Sequence, residues 1–522
     1  MAHSICLHNG RIYGLQGLQD ATAVVIDEGI IRFIGNEAML RHYDLGSIEK
    51  IDVGGRIIFP GFIDSHIHLT EWARRRGHLE LNSFRSLKET CAYIADNAED
   101  KEWLIGGGWN QNAWKEQRFP HRHDLNFLGP GTKAIFYSKD FHSAWVNEAL
   151  INLFDFSDVL QMLRKGYIQR DADGQLSGLL REEALTVLLD PLLKTRPVDI
   201  FDHPEKYFSD FYQHGITSVH TMENFENYQN YLSLYQYEHH RGLRLGIYIY
   251  NSDSKQVFEH GLRYGIGGEW LRFLGLKIFI DGALGSQTAW LRKPYETGIH
   301  HGKKLLHSDA LKKVIAQAES HGCALAVHAI GDAAVEHVLD ILDSFGRELR
   351  VPLRIEHAQL LDNGLIERIK DHNIHCSVNP SHLIDDKPIA ELHWGERSRG
   401  AFPYRSLKIA SVSFGFASDA PVEDIHPWKG IYAAVMRIPV DDTQPWYPEE
   451  SIRLTDAIHA YTYYSAQLSG CNEKKGVLAL GYMGDCFVCN QDVFQISLSS
   501  WRDIRSVLTI IRGKIVYDEM GR

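Results

Sequence analysis

The segment FPGFIDSHIHL, residues 59–69, sets two imidazoles, His66 and His68, one residue apart at the end of an apolar run. Residues two apart on a strand share a face, so both side chains point the same way, about 7 Å apart along the chain. Two imidazoles on one face at a strand's carboxyl end pack badly and chelate a metal well. One such pair carries little weight among 28 histidines, but polar residues recur at the same kind of position. ALAVHAIGD ends a run on His328, LRIEHAQ ends one on His357, and SFGFASDAP ends one on Asp419, two residues before Pro421. GLKIFIDGALGS carries Lys277 inside an apolar run, on a face with Phe279 and Asp281. Each alone reads more readily as a hydrogen-bonded core histidine, a paired lysine or a capping aspartate. Together, late in separate strands, they read as a site built where barrel enzymes place their chemistry.

The elements that must position these groups alternate. SDALKKVIAQAESHG has Ser308 as candidate N-cap, helical apolar spacing and Gly322 as its stop. A strand follows (CALAVHAIGD), then a helix (AAVEHVLDILDSFG), a strand (LRIEHAQ), a helix (GLIERIKDHN) and a strand (IHCSVNP). Repeated strand-then-helix units predict an α/β chain with a parallel sheet, most economically a (β/α)8 TIM barrel. Residues 1–55 and 475–522 read instead as short β-branched strands joined at glycine turns, which predicts one composite β-sandwich assembled from both ends. The barrel is then expected over 56–474. Residues of about 70–210, rich in Trp, Asn and His, break the rhythm and read as an inserted subdomain.

The bulk numbers exclude some classes. The 522 residues are 44% hydrophobic and 23% charged, as in soluble globular proteins, and the net charge of −12 argues against nucleic acid or an anionic membrane as partner. No apolar run is long enough to cross a bilayer, and MAHSICLHNGRIYG lacks the charged and apolar regions of an export signal. Seven thinly spread cysteines fit a reducing cytoplasm. Cys486 and Cys489 form a C-x-x-C, but on a strand they face opposite ways, which fits a core strand better than a zinc or redox pair.

The ordered set H-x-H, Lys, His, His, Asp resembles the amidohydrolase superfamily. The words PGFIDSHIHL, GITSVHTME, LKIFIDGALGS, VHAIGDAA, RIEHAQ and SDAP are similar to its family 3 branch, along essentially the whole chain. The resemblance implies a metal-bearing TIM barrel that hydrolyses a non-peptide C–N bond. It implies that His66 and His68 bind the more buried metal with Asp419, while His328 and His357 serve a second metal or complete the first site. Lys277 takes the place of a lysine that relatives carry N6-carboxylated as a bridge between two metals; unmodified, it would pair with Asp281 or Asp419 beside a single metal. The implied cofactor is Zn2+, one or two per chain, or another divalent ion. Asp419 would act as general base and then acid. His220 and His142 are candidate donors to the oxyanion, and Trp109 and His142 candidate walls of a pocket for a small organic amide. The expected partner is a small-molecule substrate, with homo-oligomerisation open. Thr221, Gln287 and Asn379 depart from the family pattern at positions that could line the pocket, leaving the substrate open between a formamide-like amide, a cyclic amide, an N-acyl amino acid and an ester. A non-enzymatic relative would be expected to have lost ligands, and none is missing here.

Overall fold

The computed structural model describes the chain except for residues 1–3, 44–47, 82, 100, 112–113, 139–142, 182, 195–198, 237–241, 440–441 and 522. The strands of its largest sheet are Phe62–Ile67, Ile216–Glu223, Arg244–Tyr250, Leu271–Phe279, Ala324–Ala329, Leu353–His357, His375–Val378 and Phe414–Phe416, paired side by side in chain order. Their pairings are parallel. Every residue of Phe62–Ile67 and Ile216–Glu223 is buried, as expected for strands covered on both faces. The first and last strands meet, so the sheet closes as a (β/α)8 barrel. His68 N–H donates to the Ala420 carbonyl (2.9 Å) and Asp419 N–H to the His66 carbonyl (2.8 Å) across that seam.

The helices follow from their caps. Ser308–His321 ends at Gly322 (φ +70°) and Asp332–Phe345 at Gly346 (φ +62°), both left-handed conformations that glycine adopts without Cβ strain. Ser308 proves to be the first helical residue rather than the cap. His307 occupies the cap with extended backbone and no side-chain bond, so the turn begins one residue earlier than expected.

Strands from the two ends of the chain form two further sheets. One orders Ile30–Gly35, Ala23–Asp27, Ile5–His8 and Glu49–Asp52; the other orders Lys514–Asp518, Ser506–Ile511, Cys486–Cys489, Ile57–Pro60, Arg11–Gly14 and Gly17–Leu18. Ile5, Leu7, Val24 and Ile26 of the first share one core with Ile58, Val488, Leu508 and Ile510 of the second. Cys486 and Cys489 are both buried and free. Ile57–Pro60 runs through Gly61 directly into the first barrel strand. A Cβ on Gly61 would lie 2.2 Å from Thr217 Oγ1, so only glycine fits there.

Residues Arg74–Val198 form a compact unit of their own. Its sheet orders Ile168–Arg170, Leu176–Arg181, Ser143–Val146, Lys133–Ser138, Trp103–Trp109 and Leu79–Glu80. No helix among the described residues is long and apolar enough to cross a membrane.

A buried ion pair ties the barrel to the terminal strands. Arg244, which opens a barrel strand, meets Asp485 with both ends of its fork, Nε–Oδ2 at 2.6 Å and Nη2–Oδ1 at 2.9 Å. Asp485 Oδ1 also accepts from Arg512 N–H (3.0 Å). Removing one partner of such a pair leaves an uncompensated buried charge. Asp485→Ala should therefore lower the unfolding free energy in urea by about 3–5 kcal/mol.

Candidate metal centre

The seam that closes the barrel is also where the candidate ligands converge. His66 sits near the end of the first strand, His68 just beyond it, and Asp419 just beyond the last. One ligand atom from each lies within 4.8 Å of the others. Asp419 Oδ1 is 3.3 Å from Nε2 of both His66 and His68. Asp64, buried below them, fastens the seam: it accepts from Ser418 Oγ (2.5 Å), Ser418 N–H (3.1 Å) and His66 N–H (3.2 Å). Asp419 has φ +58° and His357 φ +71°, left-handed conformations for residues with a Cβ. Strain of this kind persists where the surrounding structure over-determines it, typically at functional sites.

Each imidazole spends one nitrogen on the protein, which directs the other. His66 Nδ1 is 2.5 Å from Glu356 Oε2, so its proton lies on Nδ1 and Nε2 presents a lone pair. His68 Nδ1 meets Tyr250 Oη (2.8 Å), whose hydroxyl donates to the Met222 carbonyl (3.2 Å), so His68 donates from Nδ1 and its Nε2 turns toward Asp419. His357 Nδ1 meets Asn379 Oδ1 at 2.8 Å, again freeing Nε2. His328 is reversed: its Nε2 donates to the Gly282 carbonyl (3.1 Å), leaving Nδ1 as the lone-pair atom. The rings of His328 and His357 lie 4.5 Å apart, and those of His66 and His357 5.2 Å apart. Such outer partners fix tautomer and orientation at metal sites. Burial, helped by the Lys277 charge, lowers His66 to about 4 and His328 to about 3, so both are neutral donors at neutral pH. Burial works against charge on Asp419 too, but in acid the protonated form of His66 beside it outweighs burial and holds the carboxyl well below its usual range, so it is an anion at neutral pH. Neutral imidazoles and an anionic carboxylate are the donor set that zinc takes.

A family model described as the amidohydrolase family matches residues 49–517. This chain belongs to the amidohydrolase family. YtcJ of Bacillus subtilis, named as an amidohydrolase, is 30% identical over 98% of this chain and 99% of its own. N-substituted formamide deformylase of Arthrobacter pascens is 24% identical over 96% of both chains. A metal-dependent hydrolase from Pyrococcus furiosus superposes with a TM-score of 0.78 at 27% identity, over 94% of this chain and 99% of that one. This amidohydrolase is thus a hydrolase of that superfamily, acting on C–N bonds, with a candidate metal site of His and Asp.

Not every expected site residue joins the centre. Lys277 does: it is buried, with Nζ 3.5 Å from His66 Nε2, and burial lowers its ammonium to about 8. Its charge faces Glu356 and Asp419. Asp281 is not its partner, because that carboxylate accepts from the backbone N–H groups of Trp290 (2.9 Å), Ile330 (3.1 Å) and Gly331 (2.8 Å). Trp109 is fully buried in the core of the Arg74–Val198 unit, stacked on Trp114, with its indole N–H spent on the Phe136 carbonyl (2.7 Å). It is a packing residue there, with no face left for a ligand. His220 is buried against Arg354 (Nδ1–Nη1 3.1 Å) and lines a cavity at the amino ends of the strands, so its place serves that side of the barrel rather than a carbonyl at Asp419. His142 lies outside the described residues.

Other groups complete the centre without having stood out in the sequence. Glu356 orients His66, and Arg354 pairs with Glu356 (Nε–Oε1 2.5 Å). Both lie in LRIEH, where their spacing of two, which puts them on one face, was the available signal. Asn379, at a position that could line the pocket, holds His357 Nδ1. Thr221 accepts from Leu69 N–H and donates to Glu223 (2.7 Å), holding the turn after His68. His382 Nε2 lies 3.8 Å from Asp419 Oδ2. A second cluster, His121, His123 and Asp171, meets the geometric test for a cation, but Arg122 Nη1 lies 2.8 Å from Asp171 Oδ2 and already neutralises it.

Glu356→Gln keeps the shape but removes the charge that fixes the His66 tautomer. It should weaken metal affinity about 10–100-fold in a chelator competition, while His66→Ala with His68→Ala abolishes stoichiometric metal altogether.

Proposed function

We propose that this amidohydrolase cleaves the C–N bond of a small non-peptide amide, formamide-like substrates first. The observation that carries the reading is the convergence of His66 Nε2, His68 Nε2 and Asp419 Oδ1 at the barrel seam, each histidine with its other nitrogen already engaged. These three would hold a divalent cation, zinc by its donor set, which when bound would supply Lewis acidity toward water near neutral pH. The protein's own part is positioning and proton transfer. Asp419 turns Oδ1 toward the histidines and keeps Oδ2 for a proton. It takes that proton from the attacking water and returns it to the departing nitrogen. His382, whose Nε2 has no hydrogen-bond partner, is the donor beside Asp419 for a carbonyl oxygen gaining charge. The likeness to N-substituted formamide deformylase along both chains supports the substrate class.

We extend the reading to Lys277 as an N6-carboxylated ligand completing, with His328 and His357, a second metal position. A neutral amine is the form that adds carbon dioxide, and the lowered ammonium puts that form within reach. The change from +1 to −1 also offsets the charge of one divalent ion brought into a buried site.

Two measurements test these readings. Zinc-loaded protein given N-substituted formamides should release formate and amine in equal amounts. A ring-opened acid from a cyclic amide, with no formate, would move the substrate class instead, and no turnover of any amide would overturn the reading. Asp419→Asn should lower kcat/KM by about 10²–10⁴-fold. For Lys277, elemental analysis of protein expressed with zinc and bicarbonate should give about two metals per chain; about one would leave it a plain amine.

A further inference from the structure

At the opposite mouth of the barrel lies a cavity of about 340 Å³. Arg244, Leu245 and Gly246 open one strand into it, and Arg272 and Leu274 come from the start of the next, which fixes it at the strands' amino ends. Another wall comes from the segment after the helix Tyr463–Leu468, including Cys471, Lys474 and Lys475. The lining is strongly basic. Arg272 Nη1 lies 2.8 Å from Cys471 Sγ, and Lys475 Nζ donates to Ser218 Oγ (3.0 Å). Arg244 is already committed to Asp485, and Glu269 is the carboxylate on the rim. His220 is 1% exposed and lines the same space. Arg354 donates to its Nδ1, so its proton is on Nε2, and that atom has no partner. An N–H donor and two cations left facing one cavity ask for an anionic ligand.

We propose that Cys471 is a modification site, its thiolate taking up anionic low-molecular-weight disulfides in this basic cavity. The thiolate attacks one sulfur of the disulfide; a new S–S bond forms, the old one breaks, and the other half departs as its own thiolate. No further oxidant is needed. The ligand's carboxylates meet Arg272 and Lys475. Cys471 is partly exposed, as attack requires. It follows a helix whose carboxyl end disfavours negative charge, and burial acts in the same direction. Lys475 and Arg272 outweigh both and hold the thiol below its usual range. The other six cysteines are pushed the opposite way by burial: Cys6 and Cys323 to about 11, Cys91, Cys376 and Cys489 to about 12, and Cys486 upward as well. Cys471 is therefore the one thiol of the seven whose ionisation its surroundings favour, and reactivity follows the thiolate.

The test titrates the folded, metal-loaded full chain with dithionitrobenzoate, an anionic disulfide, and with a neutral dipyridyl disulfide. The expected result is one fast-reacting thiol per chain, faster with the anionic reagent, with mass spectrometry placing the adduct on the Cys471 peptide. Cys471→Ser should remove the fast phase. Arg272→Gln should slow it about tenfold and Arg272→Lys should restore most of it. A fast phase that survives Cys471→Ser, an adduct on Cys91, or no fast phase in the unaltered protein would overturn the proposal. Equal rates with the two reagents would overturn its anionic selectivity. Urea unfolding of each variant separates a lost thiolate from a lost fold.

Discussion

The contact between His66 and Glu356 governs how the barrel interior is built. A carboxylate with no exposed surface is expensive to bury, and burial alone would drive it to its neutral form. Arg354 and His66 reverse that balance and hold Glu356 at about 2. Arg354 in turn needs its own remaining donors met, which the Ser65 carbonyl (2.9 Å) and His220 supply, and its guanidinium lies over the Tyr248 ring, 4.4 Å from the centroid. A column of buried polar groups thus runs from Asp419 through His66, Glu356 and Arg354 to His220. It occupies volume that most barrels fill with branched apolar side chains. Such a column contributes little net stability compared with apolar packing, because desolvation offsets most of the attraction. What it does contribute is direction: one proton position on His66, and so one donor atom facing Asp419.

The closure seam has the same economy. Asp64 and Ser418 link the first and last strands with buried hydrogen bonds. The ligands therefore sit on backbone whose relative position is fixed by closure itself. Loops then have only the substrate to accommodate, which is how one barrel carries many reactions.

Much of this was legible in the sequence, and the rest was hidden for physical reasons. His66, His68, His328, His357, Lys277 and Asp419 stood out because a polar group at the end of an apolar strand violates the packing pattern. The structure brings His66, His68 and Asp419 together directly. Glu356 and Arg354 violated it equally, but adjacent to His357 they read as part of the same ending. Trp109 misled because its sequence neighbourhood cannot tell a wall from a core; only the Phe136 carbonyl and the Trp114 ring decide that. His220 misled differently. A strand sends side chains inward at both ends of a barrel, and sequence position alone does not say which end a given residue faces. Asn379 stood at a position that could line the pocket, whereas in the structure its side chain meets His357 Nδ1.

The strand Ile57–Pro60 leads through Gly61 into the first ligand strand, and its partner across the sheet is Cys486–Cys489, with Phe59 opposite Phe487. During synthesis on the ribosome this strand emerges hundreds of residues before the strand that supports it. Pairings so distant along the chain form slowly, because the intervening loop must close first. The half-made protein carries an apolar strand and two imidazoles with nothing to hold them in place. Until the Cys486–Cys489 strand has been translated, the two histidines lack the finished barrel seam that would hold a cation.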